Sequence, residues 1–282
     1  MQQPPKADLP WPLRHSVSTP SIAYRVRPGR GADGETVVLL HGVGSSASTW
    51  THLAPLLHER YTLVMPDYRG HGSSEAPEPP YSADDFVADL FRLADELGIR
   101  DFHLVGFSIG AIFAQGAALA QPERIVSLVL LNSIAARTED ERDRALERLD
   151  HIRRTDPAEV AAGSVERWFT PAFAEQNPET VEVEVGIVSA NRSEPYAAAY
   201  EVLATTDLIE QVGGITRPVL LVTGENDRGS TPRMSEAIHA RIPGSELVIV
   251  PELQHYLHLE APDLIAGLVN GFLASHPAPH PI

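Results

Sequence analysis

Val105-Gly106-Phe107-Ser108-Ile109-Gly110 closes one apolar run and opens another pattern altogether. Upstream, Phe102–Val105 reads as a strand; downstream, Ser108–Gln121 has the spacing of a helix. Small residues two before and two after a serine let the backbone fold back on itself, so the serine is lifted clear on a very tight turn. A bare Gly-x-Ser-x-Gly is weak, arising by chance in roughly one chain in ten of this length at ordinary Gly and Ser frequencies of about 7% each. The strand–turn–helix setting gives it weight. The plainer alternative is a glycine-flanked helix start with Ser108 as its N-cap.

The same alternation extends in both directions. Thr36–Leu40, Tyr61–Met65, Val126–Leu131, Pro218–Val222 and Leu247–Val250 are short, mostly apolar runs bounded by turn residues. Such near-continuous runs suit strands covered on both faces, as in a parallel sheet. Ala47–Arg60, Ser82–Leu97, Arg233–Arg241 and Ala261–Ala274 read as helices between them. The pattern predicts a doubly wound α/β sheet.

Residues 135–214 interrupt it. Thr138–Arg154 is dense in Glu, Asp and Arg, as in a solvated helix. Glu159–Phe169, Pro178–Ala190 and Ser193–Thr205 are also helix-like, and no buried strand is evident. The expected organisation is a core in two parts, 1–134 and 215–282, with a helical lid at 135–214 packed on it. Residues 1–11 and the tail Ser275–Pro281 read as loose ends.

Composition narrows the function. The 282 residues carry 22 basic and 38 acidic side chains, a formal charge of −16. That field repels phosphate backbones, so nucleic acid is not an expected partner. No run approaches the roughly 20 apolar residues of a membrane span, and residues 1–12 lack the apolar stretch of a secretory signal. There is no cysteine, hence no disulfide, thiol nucleophile or thiolate metal site. A cytoplasmic protein, monomeric or homodimeric, is expected.

A serine is a poor nucleophile without a base, and the base needs an orienting acid. Asp227 follows the strand Pro218–Val222 in Thr223-Gly224-Glu225-Asn226-Asp227, with Glu225 as a rival acid. His255 falls in the first loop after Leu247–Val250; His258, three residues on, already leads into the final helix. The oxyanion formed in acyl transfer needs donors. One is the backbone N–H of Ile109. The second is expected in His41-Gly42-Val43-Gly44-Ser45-Ser46, from Val43 or alternatively Gly44, with Gly42 and Gly44 letting the main chain approach substrate. His41 is read as a loop brace rather than a base. Pro66–Ser74 is read as bracing too, because its Asp and His residues lack metal-site spacing.

Taken together, His41-Gly42-x-Gly44, Asp67-x-Arg69-Gly70-His71-Gly72-x-Ser74, Gly106-x-Ser108-x-Gly110, Gly224-x-x-Asp227 and His255 resemble the α/β-hydrolase superfamily. The resemblance implies a mostly parallel eight-stranded sheet flanked by helices, and a helical cap after the sixth strand. It also implies Ser108, Asp227 and His255 as nucleophile, acid and base, with no cofactor and no metal. Gln121-Pro122-Glu123-Arg124, Ala240-Arg241-Ile242-Pro243-Gly244 and the stretch from Trp168 to Tyr200 are similar to the 3-oxoadipate enol-lactonase and small carboxylesterase group. Ile109-Gly110-Ala111 departs from the usual Met-Gly-Gly. Tyr256-Leu257-His258 lacks the tryptophan of carbon–carbon hydrolases, and Ser108 stands where haloalkane dehalogenases and epoxide hydrolases place aspartate.

The expected activity is hydrolysis of a small carboxylic ester or lactone through an acyl-enzyme. The alternatives are carbon–carbon hydrolysis of a vinylogous diketone and a non-catalytic receptor on the same scaffold. Trp168 and Phe169 are the expected apolar wall. Arg167 and Arg192 could meet a substrate carboxylate, although the acidic composition of 135–214 argues against a strongly anionic substrate.

Overall fold

The computed structural model describes residues 9–30 and 34–278. Eight strands form one sheet: β1 (Leu13–His15), β2 (Ala23–Arg27), β3 (Thr36–Leu40), β4 (Thr62–Pro66), β5 (Phe102–Phe107), β6 (Ile125–Leu131), β7 (Val219–Gly224) and β8 (Glu246–Val250). Their order is β1-β2-β4-β3-β5-β6-β7-β8. The first two pairings are antiparallel, and every pairing from β4–β3 onward is parallel.

The central strands are apolar at consecutive positions because both faces are covered. Val38, Leu104, Leu128 and Leu221 enter one core with α1 (Ala83–Glu96) and α2 (Ile109–Ala120). Val37, Leu39, Val105, Val129 and Val222 enter the other, against the C-terminal helices. α1 opens on a full capping box, with Ser82 and Asp85 each satisfying the other's backbone N–H.

Six helices run between β6 and β7: α3 (Glu139–Arg154), α4 (Pro157–Ala162), α5 (Val165–Trp168), α6 (Pro171–Gln176), α7 (Pro178–Ser189) and α8 (Ser193–Thr205). They share the cores of the sheet rather than forming their own. Ala199, Val202 and Leu203 of α8 join the first core; Ile152, Val160, Trp168, Phe169 and Val188 join the second. The chain finishes with α9 (Pro232–His239), α10 (Leu257–Glu260) and α11 (Pro262–Ser275). Among the described residues, no helix is long and apolar enough to cross a membrane.

Four expectations need correction. Ala47–Arg60 is not one helix but two 3₁₀ turns, Ala47–Thr51 and Ala54–Leu56, since Pro55 lacks an N–H and disfavours helix before it. Glu159–Phe169 breaks at Gly163 into α4 and α5. Of the N-terminal arm, residues 1–8 lie outside the described residues, but Leu9 is buried in the second core and the Trp11 carbonyl accepts from Arg25 Nη1 at 2.5 Å. Of the tail, 279–282 lie outside, while Ser275 ends α11 and the Ala278 N–H donates to Glu35 Oε1 at 2.7 Å.

Candidate active site

Every parallel strand of the centre delivers its C-terminal loop to one edge, where ligands gather in open α/β sheets. Ser108 sits there between β5 and α2 with φ 56° and ψ −117°, a conformation that costs a non-glycine residue about 1–3 kcal/mol. Its N–H donates to Leu131 O at 2.9 Å, and its carbonyl accepts from Ala111 at 3.0 Å. A Cβ at Gly106 would lie 2.4 Å from Gly110 O, and one at Gly110 2.3 Å from Leu40 O. Both contacts are with backbone, so only glycine fits.

Asp227 follows β7 and His255 follows β8. His255 Nδ1 donates to Asp227 Oδ2 at 2.6 Å. The other carboxylate oxygen, Oδ1, accepts from the N–H groups of Gly229 at 2.8 Å and Ser230 at 2.9 Å. Burial alone would raise the Asp227 carboxyl; the adjacent His255, the Ser230 amide and Asn132 outweigh it and hold it below the usual carboxylate range. Asn132 is a residue the sequence reading missed. It follows β6 directly, at φ 49°, and its Nδ2 donates to Asp227 Oδ2. A polar residue directly after an apolar strand was the available signal.

Ser108, Asp227 and His255 line one cavity of about 350 Å³, together with Gly42, Val43, Trp168 and Tyr256. The rivals are engaged elsewhere. Glu225 accepts from the Glu252 N–H at 3.1 Å in an exposed turn. His258 is fully buried, contacts Thr49 Oγ1 at 3.0 Å, and is pushed down to about 3 by burial.

The loop after β3 is held from below. His41 Nδ1 donates to Gly42 O at 2.7 Å and its Nε2 accepts from the Tyr68 N–H at 3.1 Å, so its two nitrogens brace the loop. The Gly44 N–H donates to His71 Nε2 at 3.0 Å. It is therefore spent, and Gly44 does not line the cavity. The Val43 N–H makes no hydrogen bond among the described residues. Ile109 begins α2, where the first N–H groups have no intrahelical acceptor. A Cβ on Gly42 would fall 3.7 Å from Ser108 Cβ, which places this loop beside the serine. Asp67, accepting from the Ala47 N–H at 2.7 Å and the Ser73 N–H at 2.9 Å, ties Pro66–Ser74 into the same brace.

The helices between β6 and β7 close over this edge. Tyr256 N–H donates to Trp168 O at 2.9 Å. Glu260 takes the Gln254 N–H on one oxygen and the Thr170 N–H and hydroxyl on the other, joining the His255 loop to α6. Trp168 reaches the cavity, but Phe169 does not. Its ring is buried behind Tyr256, at 5.1 Å, and stacks on Phe173 at 5.3 Å. The exposed Arg192 is not in the cavity wall either. The acidic composition of 135–214 also misleads, because Arg137, Arg144, Arg148 and Arg167 are what this segment turns toward the cavity, against Glu141 alone.

With this fold and edge in place, comparison with known proteins is direct. Residues 37–268 match the alpha/beta hydrolase family. The chain belongs to the alpha/beta hydrolase family. The 3-oxoadipate enol-lactonase 2 of Acinetobacter baylyi is 30% identical to this hydrolase over 261 residues, 93% of this chain and 97% of that protein. A solved hydrolase from Pseudomonas aeruginosa PA01 superposes with a TM-score of 0.86 at 31% identity, over 93% of this chain and 98% of that one. The enol-lactonase from Burkholderia xenovorans LB400 does so with a TM-score of 0.87 at 25% identity, over 93% and 100%. The protein is thus an α/β-fold hydrolase acting on small molecules, as the resemblance implied.

Proposed function

We propose that this hydrolase cleaves small carboxylic esters or lactones through an acyl-enzyme on Ser108. The observation that carries the reading is the 2.6 Å bond from His255 to the fully hydrogen-bonded carboxylate of Asp227, on the cavity that Ser108 lines. His255 takes the Ser108 proton as the oxygen attacks the carbonyl, and Asp227 holds the ring and balances its cation. The free N–H of Val43 and the first N–H of α2, at Ile109, receive the oxyanion. His255 then hands its proton to the leaving oxygen. Water, activated by the same ring, releases the acid.

Residues 135–214 act as a cap on a core made of 1–134 and 215–282. Trp168 and Tyr256 supply the apolar wall, and Gly42 leaves room for the substrate to reach the serine. The chemistry needs no cofactor, because the acid, base, nucleophile and oxyanion donors are all protein groups.

The test is a panel of initial rates on 4-nitrophenyl esters of increasing acyl length, several lactones and a ring-cleavage diketone, with Ser108→Ala beside the wild type. Ester or lactone turnover that falls at least about a thousandfold in the variant supports the reading. Turnover of the diketone alone, or a variant with more than about a tenth of wild-type kcat, overturns it.

A further inference from the structure

In a chain of formal charge −16, the cavity wall carries five arginines, at 137, 144, 148, 167 and 228. The two carboxylates in the same wall are already engaged. Asp227 holds His255, and Glu141 pairs with Arg233 at 2.5 Å while accepting from the Thr138 N–H at 2.7 Å. Arg137 is spent on backbone, donating to Leu203 O at 2.7 Å.

The others converge without counter-charge. Arg148, half-buried on α3, donates through Nη2 to Ser164 Oγ at 2.5 Å and weakly to Val160 O. Its Nε is buried and has no partner. The side chain of Arg167, at the end of α5, makes no hydrogen bond or ion pair among the described residues. Burial and the nearby Arg167 both work against the Arg148 cation. Arg144 stands one helical turn before Arg148, an i,i+4 like-charge pair that weakens a helix. Guanidiniums gathered in this way, with no carboxylate offered to them, are relieved by a bound anion.

We propose that Arg148 and Arg167 form a recognition site for a substrate carboxylate remote from the bond that is cleaved. Resting on the hydrolase reading above, this names the substrate class: half-esters and lactones that keep a free acid at their far end. Ser108 and His255 come from the sheet edge, whereas Arg148 and Arg167 come from the helices over it, so one molecule in the cavity spans both. Its acyl carbon meets Ser108 while its carboxylate meets the two forks. Arg144 and Arg228, exposed in the same wall, extend the positive field toward solvent and draw the anion in.

The experiment uses a matched pair, the 4-nitrophenyl monoester of adipic acid and its methyl ester, which differ only in the remote charge. Wild type is expected to favour the free acid in kcat/KM by about tenfold or more, through KM. Arg167→Gln, whose side chain has no structural bond to lose, is expected to bring that ratio to within about threefold of unity, and Arg148→Gln likewise. Equal use of both esters by wild type, or a ratio unchanged in both variants, overturns the site.

Binding separates this proposal from the hydrolase reading. Adipate and adipamide are titrated into Ser108→Ala while tryptophan emission is followed, since Trp168 lines the cavity. Adipate is expected to bind at least about tenfold tighter than the diamide, and Arg167→Gln in the same background to abolish the difference. Adipate binding with no turnover of either ester by wild type keeps the site and removes the esterase reading. Turnover of esters with no preference for adipate keeps the esterase reading and removes the site.

Discussion

Asn132 donates its side-chain amide to Asp227 Oδ2, the same oxygen that receives His255 Nδ1. The two residues come from the ends of adjacent parallel strands, β6 and β7, and the left-handed backbone of Asn132 turns its side chain along the sheet edge. With Gly229 and Ser230 on Oδ1, the carboxylate of Asp227 is held from every side. Its orientation is set before His255 is added.

Asn132→Ala is therefore expected to lower kcat by about ten- to a hundredfold with little change in KM, because the substrate never touches Asn132. Steady-state kinetics on one 4-nitrophenyl ester checks this. A KM effect with intact kcat would place Asn132 in substrate binding instead.

The turn at Ser108 makes a second prediction. Gly106→Ala and Gly110→Ala drive a methyl group to 2.4 and 2.3 Å from backbone oxygens. Each is expected to cost about 3 kcal/mol or more, with loss of soluble protein or a fall in Tm. Gly267→Ala, inside α11 with nothing within 4 Å, is the control and is expected to hold or raise Tm, since alanine favours a helix over glycine by up to about 1 kcal/mol. Thermal melts of the three variants decide it.

Glu184, on α7, is 2% exposed, and burial pushes it up to about 8, with a hydrogen bond to Thr49 opposing. Between the ordinary carboxylate range and pH 8 the folded protein keeps a proton that the unfolded chain has released. Its contribution to stability is whole at low pH and is lost as pH rises to about 8. Glu184→Gln keeps the shape of the side chain and cannot ionise. Its Tm advantage over wild type is expected to widen from pH 5 to pH 8.5. A constant difference would mean that Glu184 does not titrate in this window.

Three buried histidines act with the opposite sign. Burial holds His71 and His103 near 4 and His258 near 3. Below pH 6.5 the unfolded chain takes up protons first, so stability falls with pH down to about 4, each histidine contributing up to about 1.4 kcal/mol per pH unit. Urea titrations at pH 7, 6 and 5 read the slope, and His103→Asn is expected to reduce it.

What was legible in the sequence follows from the range of the interactions involved. Ser108, Asp227 and His255 each lie in a loop after an apolar strand, so local pattern placed them at one sheet edge, while it took their combined order along the chain to single out Asp227 and His255 from other turn residues. β1 and β2 left no such trace: Leu13–His15 is exposed at every position, and both lie at the antiparallel edge, where burial writes no continuous apolar run. Trp168 and Phe169 are adjacent in sequence and both rings pack on Tyr256, yet only Trp168 lines the cavity, which no local pattern separates. Arg148 was lost for a similar reason. In a helix crowded with charge, the face it turns inward depends on α8 and α4, and a whole segment's acidity says nothing of its inner wall.

The central claim is that Ser108 is the acylated nucleophile. Intact-mass measurement after treatment with a fluorophosphonate tests it most directly, on wild type and on Ser108→Ala. The account predicts one adduct per wild-type chain, mapped to the peptide containing Ser108, and none on the variant. A folded wild-type protein left unlabelled, or equal labelling of the variant, would contradict it.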